Sequence, residues 1–286
     1  MINYDRLMAR TFEPVEHTYT DRDTILYALG LGLGADPMNP SHLRATYEGA
    51  PGFCALPSMS VVLAGPGFWV MQPDTGVVWQ QVLHGEQSLT LHAPLPARGT
   101  LLGQTRITGI VDKGAGKGAL IYSERDLTDK ATGTHVATVA STTFARANGG
   151  FGGPDGPVKP VHHLPDTDPE VSFDHPTQPA SALIYRLSGD YNPLHADPDV
   201  ARQAGFDRPI LHGLCTLGIA AWSITETLAG GDATALKHLQ LRFSSPVYPG
   251  ETIRTEMWQT GDAISFRARV VERDIVVLNN GLARLG

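Results

Sequence analysis

The chain has 286 residues, 42% hydrophobic and 18% charged, enough apolar material to bury a sizeable core and too much for disorder throughout. Its 22 basic and 29 acidic side chains leave a formal charge of −7. That balance excludes general binding to nucleic acid or anionic membranes, which needs a basic face, and leaves room only for a local basic pocket for one anionic ligand. Nothing approaches the ~18 consecutive apolar residues of a membrane span. The opening Met1-Ile2-Asn3-Tyr4-Asp5 lacks the basic and apolar regions of a secretory signal. Cys54 and Cys215, the only two cysteines, are therefore expected to be free thiols in a reducing cytoplasm. The terminal Ala283-Arg284-Leu285-Gly286 is not a peroxisomal address.

In chain order, the first half opens on a short apolar helical segment at residues 25–30. After the turn Pro94-Leu95-Pro96-Ala97-Arg98-Gly99 come three β-rich runs, 100–111, 119–127 and 135–145. Eight of the twelve residues from Gly149 to Pro160 are Gly or Pro, a density that no helix or central strand tolerates, and prolines recur as far as Pro179. The spacing predicts two halves, 1–147 and 179–286, joined by a Gly/Pro-rich linker at 148–178. The second half repeats the order of the first. A helical segment at 183–189 is followed by a short helix started by Asp197-Pro198 and ended at Gly205. A longer helix is expected from Gly213 to Gly230-Gly231, with Leu214, Leu217, Ala221, Ile224 and Leu228 forming one core-facing stripe. The turn Pro246-Val247-Tyr248-Pro249-Gly250 then introduces β-rich runs at 252–259, 264–271 and 275–285. Helices followed by antiparallel strands define an α+β class, and the matching order reads as a duplication.

The most informative stretch is Tyr185-Arg186-Leu187-Ser188-Gly189-Asp190-Tyr191-Asn192-Pro193-Leu194-His195. A helix runs into Ser-Gly, turns through Asp-Tyr-Asn-Pro and reaches a histidine just before the next capped helix. Such a turn can aim a carboxylate and an imidazole at one point, as general acid–base chemistry requires. The same residues are also ordinary turn formers and helix caps, so residue types alone leave both readings open. Downstream, Pro209-Ile210-Leu211-His212-Gly213 places a glycine where a helix begins. Its N–H there could receive a developing oxyanion, although a glycine required for packing reads equally well. Gly114-Ala115-Gly116-Lys117-Gly118 is not a phosphate-binding loop, because no Ser or Thr follows Lys117. His195, Asp197 and His212 form the only cluster suggestive of a metal site, and no recurring ligand spacing supports one. No Gly-x-Ser-x-Gly elbow occurs.

Asp190-Tyr191-Asn192-Pro193-Leu194-His195, followed by Ala204-Gly205-Phe206 and Pro209–Gly213, closely resembles the signature of the MaoC-like (R)-specific 2-enoyl-CoA hydratases, the hydratase 2 family. Val82-Leu83-His84-Gly85-Glu86-Gln87, Asp112-Lys113-Gly114 and the 246–250 turn extend the likeness over almost the whole chain. The resemblance implies a double hot-dog fold, each half a central helix wrapped by an antiparallel sheet. It also implies fatty acid metabolism, including β-oxidation: reversible addition of water to a trans-2-enoyl-CoA, giving a (3R)-3-hydroxyacyl-CoA. By the same resemblance Asp190 and His195 are the catalytic pair, Asn192 their helper and Gly213 N–H the oxyanion donor. The resemblance also implies that His84, Gly85, Lys113, Tyr191, Pro193, Leu194 and Phe243 contact the acyl-CoA. No metal and no cofactor are expected, the CoA thioester being the substrate, and the family suggests a homodimer. The first half lacks a histidine five residues after its corresponding acid, so it is read as non-catalytic. Its glycines from Gly30 to Gly34 are expected to leave space for the acyl chain. Two rival readings are a hot-dog acyl-CoA thioesterase and a non-catalytic acyl-CoA-binding subunit.

Overall fold

The computed structural model describes all 286 residues, Met1–Gly286. The first half contains α1 (Tyr4–Met8), β1 (Val15–Tyr19), α2 (Asp21–Gly30) and α3 (Pro40–Thr46). Several 3-10 turns follow, the first at Pro57–Val61, and lead into β2 (Val82–Leu91), β3 (Gly99–Asp112), β4 (Ala119–Asp129) and β5 (His135–Ala145). The second half contains β6 (Val171–Pro176), α4 (Ser181–Tyr185), α5 (Pro198–Gln203), α6 (Gly213–Leu228), β7 (Leu236–Phe243), β8 (Thr252–Thr260), β9 (Ala263–Val270) and β10 (Ile275–Leu285). Local chemistry explains the helix starts. The Asp23 carboxylate accepts the Thr20 main-chain N–H at 2.8 Å ahead of α2. Asp197 Oδ1 accepts from Asp199 N at 2.8 Å ahead of α5, with Pro198 at the first helical position.

All ten strands form one antiparallel sheet in the order β1-β3-β4-β5-β2-β7-β10-β9-β8-β6. The halves meet at β2 and β7, paired from Glu86↔Arg242 to Thr90↔His238. Read outward from that seam, β2-β5-β4-β3-β1 mirrors β7-β10-β9-β8-β6, so the duplication is visible in the topology. One cluster of 43 buried residues draws on both halves, including Leu101, Leu127 and Val139 from the first and Ile219, Ile224 and Phe266 from the second. The two halves thus share a core.

Three expectations need correction. The linker reading of 148–178 runs too far: Val171–Pro176 is the edge strand β6, paired to β8, and Pro176 sits at its end, where a missing donor is tolerated. Helix α6 does not bury a single stripe, because every residue from Cys215 to Thr225 is buried. It crosses the middle of the molecule, with the second-half strands on one side and first-half residues on the other. A Cβ at Gly218 would lie 2.7 Å from Leu31 Cδ2 and 2.9 Å from Tyr27 Oη, so the helix needs glycine there for close approach. Third, Gly30 and Gly32 do not face open space. Cβ atoms built on them would come within 3.0 Å of Tyr185 Cα and 3.0 Å of His175 Nε2, so the second half already fills that volume.

The halves also differ in what their sheets enclose. The 16-residue α6 belongs to the second half. In the first half the 3-10 turn Pro57–Val61 packs against β2, β5 and α6. Arg125 of β4 donates from Nη2 to Val61 O at 2.9 Å and Ser60 O at 3.3 Å, satisfying carbonyls at that turn's end.

Candidate active site

The loop between α4 and α5 is held by its own side chains. The 3-10 turn Arg186–Ser188 ends at Gly189, whose φ of +120° is one that L side chains rarely adopt. Asp190 Oδ1 accepts the Asn192 N–H at 3.1 Å. Asn192 Oδ1 in turn accepts the Leu194 N–H at 3.1 Å, capping the turn Pro193–His195. The exposed Asn192 side chain therefore acts on the loop that carries Asp190 and His195. His195 is buried, and its Nδ1 lies 2.8 Å from Ile210 O. A carbonyl only accepts, so Nδ1 carries the hydrogen and Nε2 presents a lone pair.

Asp190, His195 and His212 converge, each offering a side-chain atom within 4.8 Å of the others. The His195 and His212 rings stack with centroids 3.7 Å apart and planes 27° apart. His212 Nε2 donates to the Asp190 main-chain oxygen at 3.2 Å. Burial lowers the His195 pKa, opposed by its bond to Ile210 O and by the nearby Asp190 carboxylate. Burial lowers His212 further, to about 4, helped by the neighbouring His195. Both imidazoles are thus neutral at neutral pH, beside a half-exposed carboxylate. One nitrogen of each ring is committed to a carbonyl, and the in-plane lone pairs of stacked rings run in near-parallel planes. A tetrahedral ion needs lone pairs that converge, so this donor set suits proton exchange better than metal binding.

Gly213 follows His212 as the first residue of α6 and is exposed. Its N–H has no intrahelical acceptor and stands at the positive end of the helix dipole. Phe243, at the end of β7, closes over it: a Cβ on Gly213 would lie 3.0 Å from Phe243 Cε1. Phe243 also packs on His84 of β2, with ring centroids 4.7 Å apart. The β2–β5 pairing shifts register between His84 and Glu86, at Gly85. The His84 ring is exposed, yet protein atoms crowd it enough to lower its pKa, and Asp190 opposes that shift. His84, Gly85, Phe243 and Gly213 therefore gather at the seam between the halves, next to the acid–base cluster.

Other expected contacts lie farther out. Lys113, exposed in the β3–β4 turn, holds Nζ 5.0 Å from the Phe144 ring centroid. Phe144 pairs with Leu83, whereas His84 pairs with Thr143, so the ring under Lys113 and the His84 side chain belong to alternate positions of the sheet and Lys113 is not brought against His84. Tyr191 is exposed under the Arg186 guanidinium at 4.9 Å, Pro193 is exposed and Leu194 is half-buried. His212 was expected near His195 only in a discounted metal cluster with Asp197; the structure puts Asp190 there in place of Asp197. The signal of His212 in the chain is its place directly before the glycine that opens the longest helix.

The ten-stranded antiparallel sheet, the α6 core and the mirrored halves define a double hot-dog protein of the α+β class. Residues 160–280 match the family described as MaoC like domain, and residues 17–147 match the MFE-2 hydratase 2 N-terminal domain. The chain is 42% identical over 278 residues to 3-hydroxyacyl-thioester dehydratase Y of Mycobacterium tuberculosis, covering 94% of this chain and 93% of that protein. It is 36% identical over 297 residues to the peroxisomal enoyl-CoA hydratase 2 of Arabidopsis thaliana, covering 96% and 93%. The crystal structure of a MaoC-like dehydratase from Phytophthora capsici matches with a TM-score of 0.87 at 34% identity, over 100% of this chain and 99% of that one. The chain belongs to the MaoC-like hydratase 2 family of enzymes. No helix is long and apolar enough to cross a membrane.

Proposed function

We propose that this chain catalyses the reversible hydration of a trans-2-enoyl-CoA to a (3R)-3-hydroxyacyl-CoA. The observation that carries the reading is the Asp190 carboxylate and the neutral His195 gathered in one cluster, beside the exposed N–H of Gly213. Adding water across the C2=C3 bond requires a proton to leave the water, its oxygen to bond to C3, and a proton to reach C2. Asp190 and His195 Nε2 are both proton acceptors at the start: one takes the proton from water as its oxygen bonds to C3, and that proton is then delivered to C2, so the pair ends in its starting state. As oxygen adds at C3, electron density moves through C2 to the thioester oxygen, where Gly213 N–H donates to it. One such donor is worth about 3–4 kcal/mol. Asn192 holds the loop, His84, Gly85 and Phe243 border the thioester, and Tyr191, Pro193 and Leu194 contact the ligand beside them. Lys113 meets a CoA phosphate. The reaction consumes no cofactor and needs no metal.

The test mixes purified protein with a trans-2-enoyl-CoA and follows enoyl absorbance alongside free thiol. Loss of enoyl without thiol is the expected result. Thiol release would support a thioesterase, and the absence of both changes would support a binding protein. Coupling the product to a 3R- or 3S-specific dehydrogenase decides the stereochemistry. We also infer a homodimer, which sedimentation will test. A cytoplasmic location accords with the unpaired Cys54 and Cys215, and fluorescent fusion will test it.

A further inference from the structure

We propose that His212 is the positioning residue of this site: its ring sets the plane of His195 and anchors the Asp190 main chain, so that base, acid and oxyanion donor keep one geometry. The inference rests on the hydratase reading above.

Two contacts from one side chain, and its place in the chain, carry it. The His212 ring lies against the face of His195 at 3.7 Å. With His195 Nδ1 tied to Ile210 O, that stack leaves the ring no freedom to flip away from the reacting side. His212 Nε2 bonds Asp190 O at 3.2 Å, which fixes the stem of the carboxylate 22 positions away in sequence. Gly213 is the next residue, so any shift of His212 is passed to the N–H that receives the oxyanion. His212 itself is only 1% exposed and makes no cap bond with its side chain, so helix capping does not account for an imidazole there.

The protonation state fits this role. Nδ1 of His212 is buried without a partner. A lone pair there is tolerable, whereas a second N–H would be a buried donor with no acceptor. His212 therefore stays uncharged beneath His195 and excludes water from its face. The groups around the pair are Asp190 on the loop, Tyr185 with its ring 5.0 Å from His212, Arg186 on the turn before it, and His84 across the seam. Of these side chains only Asp190 favours a charged His195, alongside the Ile210 main-chain oxygen that accepts from its Nδ1.

The experiment compares His212→Ala, His212→Gln and His212→Phe with the wild type. It reads kcat and KM for enoyl-CoA hydration and the titration of His195 by imidazole NMR in the ligand-free protein. Displacing reacting groups by about 1 Å costs about 10²-fold in rate. His212→Ala and His212→Gln, which lose the ring, should drop kcat on that order, with KM little changed. Water reaching His195 should move its titration upward, toward its ordinary value. His212→Phe keeps a ring in the stack but cannot donate to Asp190 O, so it should leave the His195 titration where the wild type has it and recover only part of kcat, above the Ala variant. The proposal is overturned if His195 titrates identically in all four proteins, or if the folded Phe variant is as inactive as Ala. Should the Ala variant not fold, the Gln variant, which fills the volume and keeps a donor for Asp190 O, supplies the same comparison. A wild type that does not hydrate enoyl-CoA refutes the functional reading, while the NMR comparison still decides the role of His212.

Discussion

Replacing Asp190 with asparagine isolates the chemistry from the architecture. Asp190 Oδ1 accepts the Asn192 N–H at 3.1 Å, and the amide oxygen of asparagine can accept the same bond. Its main-chain oxygen keeps the contact from His212 Nε2. The loop should therefore persist, and for a half-exposed side chain the expected stability change is within about 0.5 kcal/mol. What disappears is one proton acceptor and one negative charge. General acid–base groups contribute about 10²–10⁴-fold in rate, equivalent to about 2.7–5.5 kcal/mol of barrier. The carboxylate also favours the charged form of His195, so its loss should lower the His195 pKa further and move the acidic limb of the pH–rate profile to lower pH. That is opposite in direction to the shift expected for His212→Ala. Initial rates of enoyl-CoA loss across pH, with thermal unfolding as a control, measure both effects. A folded Asp190→Asn enzyme retaining activity within a few-fold of wild type would refute the assignment, as would a rate loss explained by unfolding.

Other perturbations test separate parts of the structure. Gly213→Ala keeps the N–H but drives a methyl against Phe243, 3.0 Å from Cε1; kcat should fall by more than about tenfold with the helix intact by circular dichroism, up to the 10²–10³-fold of a lost oxyanion donor. Gly218→Ala places a methyl 2.7 Å from Leu31 Cδ2 and should destabilise by about 1–3 kcal/mol in urea unfolding, despite alanine's better helix propensity. Burial lowers the folded pKa of His175, His195 and His212, the last to about 4, whereas the unfolded chain titrates near 6.5. Between those values the unfolded chain binds more protons, so stability should fall as pH drops from about 6.5 to about 4. Urea midpoints that do not change across that range would contradict the burial of these neutral rings. Cys215 is fully buried with its thiol pKa raised beyond the usual range, and Cys54 is half-buried; a thiol reagent should modify Cys54 first and reach Cys215 only on unfolding.

Much of this protein is legible along the chain because its signals are local. Asp197-Pro198, Gly213 and Gly230-Gly231 delimit α5 and α6 through caps and breakers acting within one helical turn. Six long strands follow from alternation and the turns before them, and Asp190 through His195 name an acid–base loop through residue type and spacing. Four strands, β1, β2, β6 and β7, were not anticipated. Edge strands β1 and β6 span five and six residues, too few for a period to emerge, and β2 and β7 are defined by pairing with each other across 148 residues of sequence separation between Thr90 and His238. Only the folded chain decided that the halves share one sheet and one core. It also decided that Gly30 and Gly32 are filled by Tyr185 and His175, and that His212 lies under His195. A cap or a turn is a bargain between neighbours in sequence. A stack, a filled hollow or a seam depends on surfaces brought together from distant segments, and no single segment carries that information.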